Sequence, residues 1–321
     1  MTSSARKLIS IIVPVYNEQE VLPIFFERLQ KAVAPARERY DIEFIFTNNC
    51  STDRTRELIL GWRESDPNIH LITLTRNFGY VASVLSGLTH ARGDAVINID
   101  SDGEDPPELI ARFIEGWEEG YDVVYGLRDK RAEPDILVKG RKAFYRFTRL
   151  IADNDFILDM AEFLLMTRRV RDEVIKIANS FPFIRNDIAY VGFSRKGIPY
   201  TREPRIAGQT HYNALSLFAG AVAFILTAST FPLRVVGYVG VPLLLVNMIC
   251  LLAGLVSPWG PGASGALAIA NQSLLVYAVI FLSIYMARIY KNGMMRPTFI
   301  IDWERTTVSP RGREAPTSGG V

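Results

Sequence analysis

The sequence has few cysteines, little net charge and neither of two common nucleotide-binding motifs. Its 321 residues include two cysteines, and 36 Lys+Arg against 34 Asp+Glu give a formal net charge of +2. Two distant cysteines imply no disulfide framework, which suits a protein facing the cytosol. The charge balance gives no basis for nucleic-acid binding, and 49% hydrophobic content excludes a disordered chain. The absence of a Gly-x-Gly-x-x-Gly after the first predicted strand and of a Walker loop argues against a dinucleotide-binding fold and a P-loop enzyme.

Charge is distributed unevenly along the chain. Between Arg205 and Arg288 the only formally charged residue is Arg234. Two apolar segments in this stretch, Val235–Val256 and Ala266–Ala287, would each be about 33 Å long as helices, against a bilayer core of roughly 30 Å. The sequence therefore predicts a water-soluble body joined to two transmembrane helices.

The flanks of the two apolar segments predict their topology. The loop between them, Ser257–Gly265, carries no charge, which predicts a tight helical hairpin with both ends on one side of the membrane. Basic residues flank the hairpin on the side of the soluble body, so the positive-inside rule predicts a cytoplasmic location for that body. These basic residues are Arg234, Arg288, Lys291 and Arg296.

The segment 213–231 has two alternative interpretations. It is uncharged and nearly long enough to span a bilayer, but Leu215, Phe218 and Val222 form one apolar helical face. We favour an interfacial helix, because a third span, the alternative, would separate the C-terminal tail from the soluble body. The predicted organisation is a cytoplasmic domain at 1–212, an interfacial amphipathic helix at 213–232, two transmembrane helices within 233–290 and a cytoplasmic tail at 291–321.

Short apolar runs alternate with segments of helical period in the first part of the chain. The predicted strands are Leu8–Val13, Ile42–Thr47, Ile69–Leu74, Ala95–Ile99 and Val123–Gly126. The predicted helices between them are Val21–Val33, Thr52–Glu64, Tyr80–Ala91 and Glu108–Glu118. This alternation predicts an α/β fold with a mostly parallel sheet. Further along, Val138–Ser180 is mostly helical in pattern, and Ile188–Arg195 and Tyr200–Arg205 are predicted to pair as a hairpin at the sheet edge.

Polar clusters follow the first four predicted strands. Ligands of parallel α/β sheets bind beyond the carboxyl ends of the strands, where loop amides and helix N-termini converge. The clusters are Pro14-Val15-Tyr16-Asn17-Glu18, Asn48-Asn49-Cys50-Ser51-Thr52-Asp53, Arg76-Asn77-Phe78-Gly79 and Asp100-Ser101-Asp102-Gly103-Glu104-Asp105. In the last cluster Asp100, Asp102 and Glu104 alternate, so their oxygens could converge on one divalent cation. The alternative is an acidic turn that caps the following helix. We favour the cation site because three other polar clusters follow neighbouring strands.

These clusters, in this order, resemble a known family. The motifs Val13-Pro14-Val15-Tyr16-Asn17-Glu18, Ser51-Thr52-Asp53, Arg76-Asn77-Phe78-Gly79 and Asp100-Ser101-Asp102 with Asp105-Pro106-Pro107 are similar to those of the family 2 inverting glycosyltransferases of the GT-A fold. Within that family the chain resembles the polyprenyl-phosphate glycosyltransferases, such as dolichyl-phosphate mannose synthase and bacterial undecaprenyl-phosphate glucosyltransferases. The similarity continues through Gly126-Leu127-Arg128, Gly197-Ile198-Pro199-Tyr200 and Gly208-Gln209-Thr210-His211-Tyr212 to the paired C-terminal apolar helices.

The resemblance implies an activity, partners and a location. One sugar would pass from a nucleotide-diphospho-sugar to polyprenyl phosphate with inversion, at the cytoplasmic face of a bacterial inner membrane. A UDP-sugar such as UDP-glucose is the favoured donor, and GDP-mannose is possible. The family resemblance also implies a homo-oligomer, a tetramer. The alternative is a catalytically weak member that serves as a nucleotide-sugar-binding membrane scaffold. A transporter is disfavoured, because neither apolar segment contains an ionisable residue.

The resemblance also assigns roles to particular residues. Asp100, Asp102 and Asp159 would be catalytic, and Asp100, Asp102 and Glu104 would hold Mg²⁺ or Mn²⁺. The donor would contact Pro14, Tyr16, Asn17, Glu18, Asn48, Asp53, Arg76, Asn77, Gly79, Asp100 and Ser101. The acceptor phosphate would contact Arg128, Arg131, Arg141, Tyr145 and Arg205, since guanidinium groups pair with phosphate bidentately. Arg202 could meet either phosphate. A solvated helix face or a basic membrane flank is the alternative for the arginines, and helix N-terminal charge is the alternative for Asp159 and Glu162.

Some positions depart from the family pattern. Asn48 and Asn49 stand where relatives usually carry carboxylates, Tyr145 replaces a phosphate-contacting Ser, and Leu164 replaces an Arg. An Asn at 48 could still accept from a uracil N–H while donating to a ring carbonyl. His211 replaces a common Lys. Base recognition is therefore expected to be altered rather than lost.

Overall fold

The structure, a computed structural model, describes residues 6–128, 160–177, 182–204, 229–254 and 261–309. The chain divides into two compact units. The first comprises Met1–Leu137, Ile157–His211 and Pro297–Val321, and the second comprises Val138–Phe156 and Tyr212–Arg296.

The first unit is built on a seven-stranded sheet with the order β3-β2-β1-β4-β6-β5-β7. The strands are β1 (Leu8–Val15), β2 (Asp41–Asn48), β3 (Ile69–Thr73), β4 (Ala95–Asn98), β5 (Val123–Arg128), β6 (Met160–Thr167) and β7 (Arg195–Tyr200). Strand β6 runs antiparallel to both neighbours, β4 and β5, whereas the other pairs are parallel. The prediction of an α/β fold with a mostly parallel sheet is confirmed.

Helices cover both faces of this sheet. They are α1 (Leu22–Val33), α2 (Thr55–Ser65), α3 (Tyr80–His90), α4 (Ile110–Glu118), α5 (Arg168–Val174) and α6 (Ile184–Val191). Side chains of α1, α2 and α4 form one core with Ile11 and Phe44, and side chains of α3, α5 and α6 form the other with Ile12 and Ile45. Because successive strand residues face opposite cores, the central strands are mostly apolar rather than alternating between apolar and polar residues.

Three sequence-based predictions are wrong in the later part of the sheet-containing unit. The mostly helical interpretation of Val138–Ser180 fails at β6, which inserts between β4 and β5 and buries both faces. The predicted strand Ile188–Arg195 is largely helix α6, whose Ile184 and Ile188 lie one helical turn apart and are both buried. The helix ends at Gly192, which has the left-handed conformation (φ 75°). The predicted hairpin is also wrong, because β7 pairs in parallel with β5.

The C-terminal segment completes the sheet next to β3. Ile301 forms an antiparallel bridge with Leu74, and the backbone N–H of Thr75 donates to Ile300 O (3.0 Å). The Ile301 side chain is 8% exposed and joins the core beneath α3. The hydroxyl oxygens of Thr306 and Thr307 accept from the N–H groups of Thr73 (3.0 Å) and Leu71 (2.8 Å). The segment therefore satisfies alternate N–H groups along an edge strand that would otherwise be open.

A buried carboxylate lies near the amino ends of β1 and β2. Glu43, 1% exposed, accepts hydrogen bonds from Ser10 Oγ (2.6 Å) and from Arg92 Nη2 (2.7 Å). Burial alone would raise the pKa of Glu43, but these hydrogen bonds and the Arg92 charge hold it below its ordinary value. The carboxylate is therefore ionised and stabilises the fold.

In the second unit, helices α7 (Phe231–Gly254) and α8 (Pro261–Gly293) are long and apolar enough to cross a bilayer. They pack as a pair. The side-chain amides of Asn247 and Asn271 each donate to the other's oxygen (both 2.8 Å), and Tyr277 OH donates to Pro232 O (3.1 Å). Polar groups in such apolar helices are stabilised by pairing with one another, so these contacts join the two helices as a hairpin.

Candidate active site

The loops after β1 and β2 are tied together at the carboxyl end of the sheet. Asn17 Oδ1 accepts from Thr52 N (2.8 Å), and Asn17 N donates to Ser51 Oγ (3.0 Å). Asp53 accepts from the backbone N–H groups of Gln19 (3.1 Å) and Thr55 (3.0 Å). Burial would raise the pKa of Asp53, but the hydrogen bonds from Thr55 and Gln19 outweigh it and lower the pKa. The ionised Asp53 side chain therefore joins the loop after β1 to the loop after β2.

The loop after β3 is joined to the loop after β2 by two asparagines. Asn49 Nδ2 donates to Asn77 Oδ1 (2.9 Å), and Asn49 Oδ1 accepts from Phe78 N (2.9 Å). A carboxylate at position 49 could not make the first of these bonds, because it has no proton to donate. Asn48 is 1% exposed and its Oδ1 accepts from Ser51 N (2.9 Å), so it shapes the turn around Cys50. Asn49 thus makes a contact that a carboxylate could not make, whereas the bond accepted by Asn48 is one that a carboxylate could also accept.

Arg76 and Gly79 occupy the outer part of the same loop. The Arg76 guanidinium carbon lies 3.8 Å from the centre of the Phe78 ring, and the side chain is exposed. This stacking orients a cation at the loop surface without neutralising it. Gly79 has a φ of 92°, a conformation that a side chain would strain, and it precedes the first turn of α3.

Asp100 follows β4 and is held by a tyrosine. Tyr80 OH, at the start of α3, donates to Asp100 Oδ1 (2.7 Å). Burial, opposed by this hydrogen bond and assisted by the charges of Glu162, Asp105 and Asp102, raises the pKa of Asp100 to about 7. Asp100 therefore shares its surroundings with three other carboxylates, whose charges disfavour its ionised form.

The rest of the acidic loop is joined to the end of β7 and the residues that follow it. Asp102 Oδ1 accepts from Glu104 N (3.0 Å), while the Glu104 carboxylate forms an ion pair with Arg202. Asp105 is completely buried and accepts from Tyr200 OH (2.5 Å) and Arg202 Nε (3.3 Å). Arg202, a predicted phosphate-binding residue, thus pairs with carboxylates of the acidic loop.

Arg128 lies at the end of β5, beside this anchor. Its side chain is exposed, and its positive charge opposes the effect of burial, which raises the pKa of the nearby Tyr200 hydroxyl. It is the one member of the predicted acceptor set that the structure describes. The others, Arg131, Arg141, Tyr145 and Arg205, lie outside the described residues together with the predicted catalytic Asp159.

The remaining predicted positions divide between surface and core. Tyr16 is 45% exposed at the end of β1, whereas Ser101 is 4% exposed and donates through Oγ to Pro14 O (3.3 Å). Leu164, the departure from arginine, is 1% exposed in β6 and packs in the core beneath α3, so a charge there would have no solvent access. The Glu162 carboxylate lies 3.5 Å from Arg185 Nε.

The side chains that the structure describes do not complete a cation site by themselves. No group of three or more His, Cys, Asp or Glu side chains that could hold a metal occurs among the described residues. The Glu104 carboxylate is paired with Arg202. Asp100 and Asp102 still fit a shared site, since Mg²⁺ commonly takes one or two carboxylates and completes its shell with substrate phosphate oxygens. The raised pKa of Asp100 marks a carboxylate that a nearby cation would stabilise in its charged form.

Tyr80 and Asn98 belong to this site although no sequence motif assigned them to it. Asn98 is the last residue of β4, and its Nδ2 donates to Tyr80 OH (3.3 Å) and to Glu162 O (3.0 Å). The available signal was position: Tyr80 directly follows the Arg76-Asn77-Phe78-Gly79 motif, and Asn98 is two residues before Asp100.

The proteins to which the chain is similar are glycosyltransferases. The Glycosyl transferase family 2 profile matches residues 10–175, more than half of the chain. The chain is 34% identical over 302 residues to the uncharacterized glycosyltransferase YkcC of Bacillus subtilis, covering 91% of this chain and 92% of the relative. It is 32% identical over 308 residues to a bactoprenol glucosyl transferase of Shigella phage SfV, covering 92% of this chain and 99% of the relative.

A structural neighbour is also similar in part. The crystal structure of S. aureus TarS 1-349 in complex with UDP-GlcNAc covers 68% of this chain and 65% of its own, with a TM-score of 0.46 and 19% identity. The sequence relationship decides the family, because the profile match begins in β1 and ends after α5 and so includes the four loops described above. The chain belongs to glycosyl transferase family 2, and its sheet is that of the GT-A fold.

Proposed function

We propose that this glycosyltransferase transfers one hexosyl group to a polyprenyl phosphate at the cytoplasmic face of a bacterial inner membrane. UDP-glucose is the favoured donor. The observation that carries the proposal is the similarity to the phage bactoprenol glucosyl transferase, which covers 92% of this chain and therefore includes both apolar helices. A lipid-linked acceptor gives these helices a function, since the lipid tail stays in the bilayer while its phosphate reaches the enzyme.

The donor side of the proposal relies on the loops at the carboxyl end of the sheet. The nucleoside would lie against the tied loops that carry Asn17, Asp53 and Asn77, with the exposed Arg76 near its phosphates. Asp100 and Asp102 would hold Mg²⁺ or Mn²⁺, whose chemical contribution is to neutralise charge on the departing diphosphate. Glu104, paired with Arg202, would position the acidic loop rather than bind first to the cation.

The acceptor side requires a phosphate clamp. A phosphate monoester has a second pKa of about 6 and is mostly dianionic at neutral pH, so its oxygen needs orientation more than deprotonation. In an inverting transfer that oxygen forms a bond to the anomeric carbon as the bond to the nucleoside diphosphate breaks on the opposite side. Arg128, Arg131 and Arg141 are proposed to orient the phosphate, with Tyr145 and Arg205 nearby and Asp159 as a further catalytic carboxylate.

We also propose the two-span topology with a cytoplasmic catalytic unit, and a tetrameric assembly. The hydrogen bonds from β3 to residues 300–307 support this topology, because they require the segment after α8 to lie on the same side of the membrane as the sheet. Asn213–Phe231 would then lie in the interface. A cysteine introduced at Ser264 should react with an impermeant thiol reagent from outside intact cells, whereas a tag after Val321 should be inaccessible; an accessible tag would support three spans.

One experiment tests the activity directly. Purified protein is incubated with undecaprenyl phosphate and a panel of UDP- and GDP-sugars, with Mg²⁺ or Mn²⁺, and the lipid products are identified by mass spectrometry. Formation of undecaprenyl-phosphate glucose from UDP-glucose is the expected result. Donor binding by calorimetry with no lipid product from any sugar would instead support the scaffold alternative.

A further inference from the structure

The hydroxyl group of Tyr80 lies between two polar side chains at the end of β4. It is 3.3 Å from Asn98 Nδ2 and 2.7 Å from Asp100 Oδ1. Tyr80 belongs to the loop-and-helix segment after β3, and Asn98 and Asp100 belong to β4 and its loop. The contact therefore links the proposed nucleotide-binding loop to the proposed cation site. The inference that follows rests on the proposed function.

The direction of these hydrogen bonds is determined by the surrounding backbone. Asn98 is 4% exposed, and its Nδ2 also donates to Glu162 O (3.0 Å) in the neighbouring strand β6. A flipped amide would direct Asn98 Oδ1 at that carbonyl oxygen, where no proton is available, so Nδ2 must face Glu162. Its second proton points to the Tyr80 oxygen, which then accepts from Asn98.

An accepting Tyr80 oxygen leaves its single proton for Asp100. The phenolic O–H is therefore directed at Asp100 Oδ1, and the order of donation runs from Asn98 through Tyr80 to the carboxylate. About a third of the Tyr80 surface (36%) is exposed, so its ring lies at the opening of the site while its hydroxyl is desolvated. Tyr80 lies in helix α3 and Asn98 in strand β4, and these regular elements limit the rotation available to the carboxylate.

We propose that Tyr80 is a positioning residue that fixes the orientation of Asp100 for the divalent cation shared with the donor diphosphate. One carboxylate oxygen is held by the tyrosine proton, and the other remains as a cation ligand. Carboxylate ligands of metals are commonly oriented by such outer hydrogen bonds, and losing one typically weakens metal binding tenfold to a hundredfold.

The test compares full-length Tyr80→Phe, which removes only the hydroxyl, with wild type. Mn²⁺ affinity in the presence of saturating UDP is measured by calorimetry and by the EPR signal of free Mn²⁺. The variant is expected to bind Mn²⁺ about tenfold or more weakly, with an unchanged Michaelis constant for undecaprenyl phosphate. Tyr190→Phe, at a tyrosine of α6 that is 66% exposed, is the matched control and should bind Mn²⁺ like wild type.

The outcomes separate this inference from the proposed function. Wild-type Mn²⁺ affinity in a Tyr80→Phe variant that unfolds at the wild-type temperature would overturn the positioning role while leaving the activity intact. A variant with a raised Michaelis constant for lipid phosphate and normal Mn²⁺ affinity would likewise overturn it. Wild type that binds no Mn²⁺ with UDP would overturn the cation site and this inference together, whether or not transfer is observed.

Discussion

Thr307 offers the clearest test of the edge that the C-terminal segment adds to the sheet. Its Oγ1 accepts from Leu71 N (2.8 Å), and its own N–H donates to Leu71 O (2.8 Å). Thr307→Val keeps the volume and the backbone bond but removes the acceptor. Leu71 is completely buried, so its N–H would be left unsatisfied.

The expected cost is about 1–3 kcal/mol, the penalty for a buried donor without a partner. A domain of this size loses roughly 2–4 °C in Tm for each kcal/mol, so a decrease of several degrees is expected. Amide hydrogen exchange should accelerate at Leu71 and in the rest of β3, the strand that leads to the loop containing Arg76. The acceleration should be smaller in β1. Thr307→Ser restores a hydroxyl acceptor and should recover most of the loss.

Two results would refute this reasoning. If Thr307→Val kept the wild-type Tm and the exchange rate of the Leu71 amide, the contact would contribute nothing to the sheet edge. If Thr307→Ser were as unstable as the valine variant, restoring a hydroxyl acceptor would not rescue the loss, and the instability could not be assigned to the missing hydrogen bond.

Three further perturbations test the site and the fold. Asp102→Asn should abolish most turnover without changing Tm, because the residue lies on a loop; near-normal turnover with saturating donor and metal would contradict its role. Arg131→Ala should lower catalytic efficiency with lipid phosphate by roughly ten- to a hundredfold, with donor binding unchanged in calorimetry; lost donor affinity would move this arginine to the nucleotide side. Glu43→Gln should be less stable than wild type at pH 7. Because the pKa of Glu43 is lower in the folded protein than in the unfolded chain, its ionised carboxylate stabilises the fold, and this contribution should shrink as the pH falls below the unfolded pKa of about 4.3. A difference in stability that stays constant between pH 3 and 7 would refute that role.

Local pattern was sufficient for the first half of the fold. Each of β1 to β5 and α1 to α4 overlaps a segment predicted from apolar periodicity, because these elements have the lengths and turn residues of a simple strand–helix alternation. The four polar loops were predicted to converge for the same reason: parallel strands bring their carboxyl ends to one edge. The apolar helices α7 and α8 were also evident from length and composition alone.

Tertiary neighbours decided what periodicity left ambiguous. The run Met160–Thr167 contains good helix formers, yet it is a strand because the gap between β4 and β5 buries both of its faces. Ile184–Val191 is a helix because its apolar side chains reach the core only at helical spacing.

The same holds for the contacts of the site. The sequence by itself determined which polar residues lie at the carboxyl ends of the strands, but not their pairing: Tyr80 meets Asp100 because β4 lies beside β1, beneath α3. Thr307 likewise meets Leu71 across a separation of 236 residues. Hydrogen bonds between segments so distant along the chain depend on strand order and packing, which no local pattern encodes.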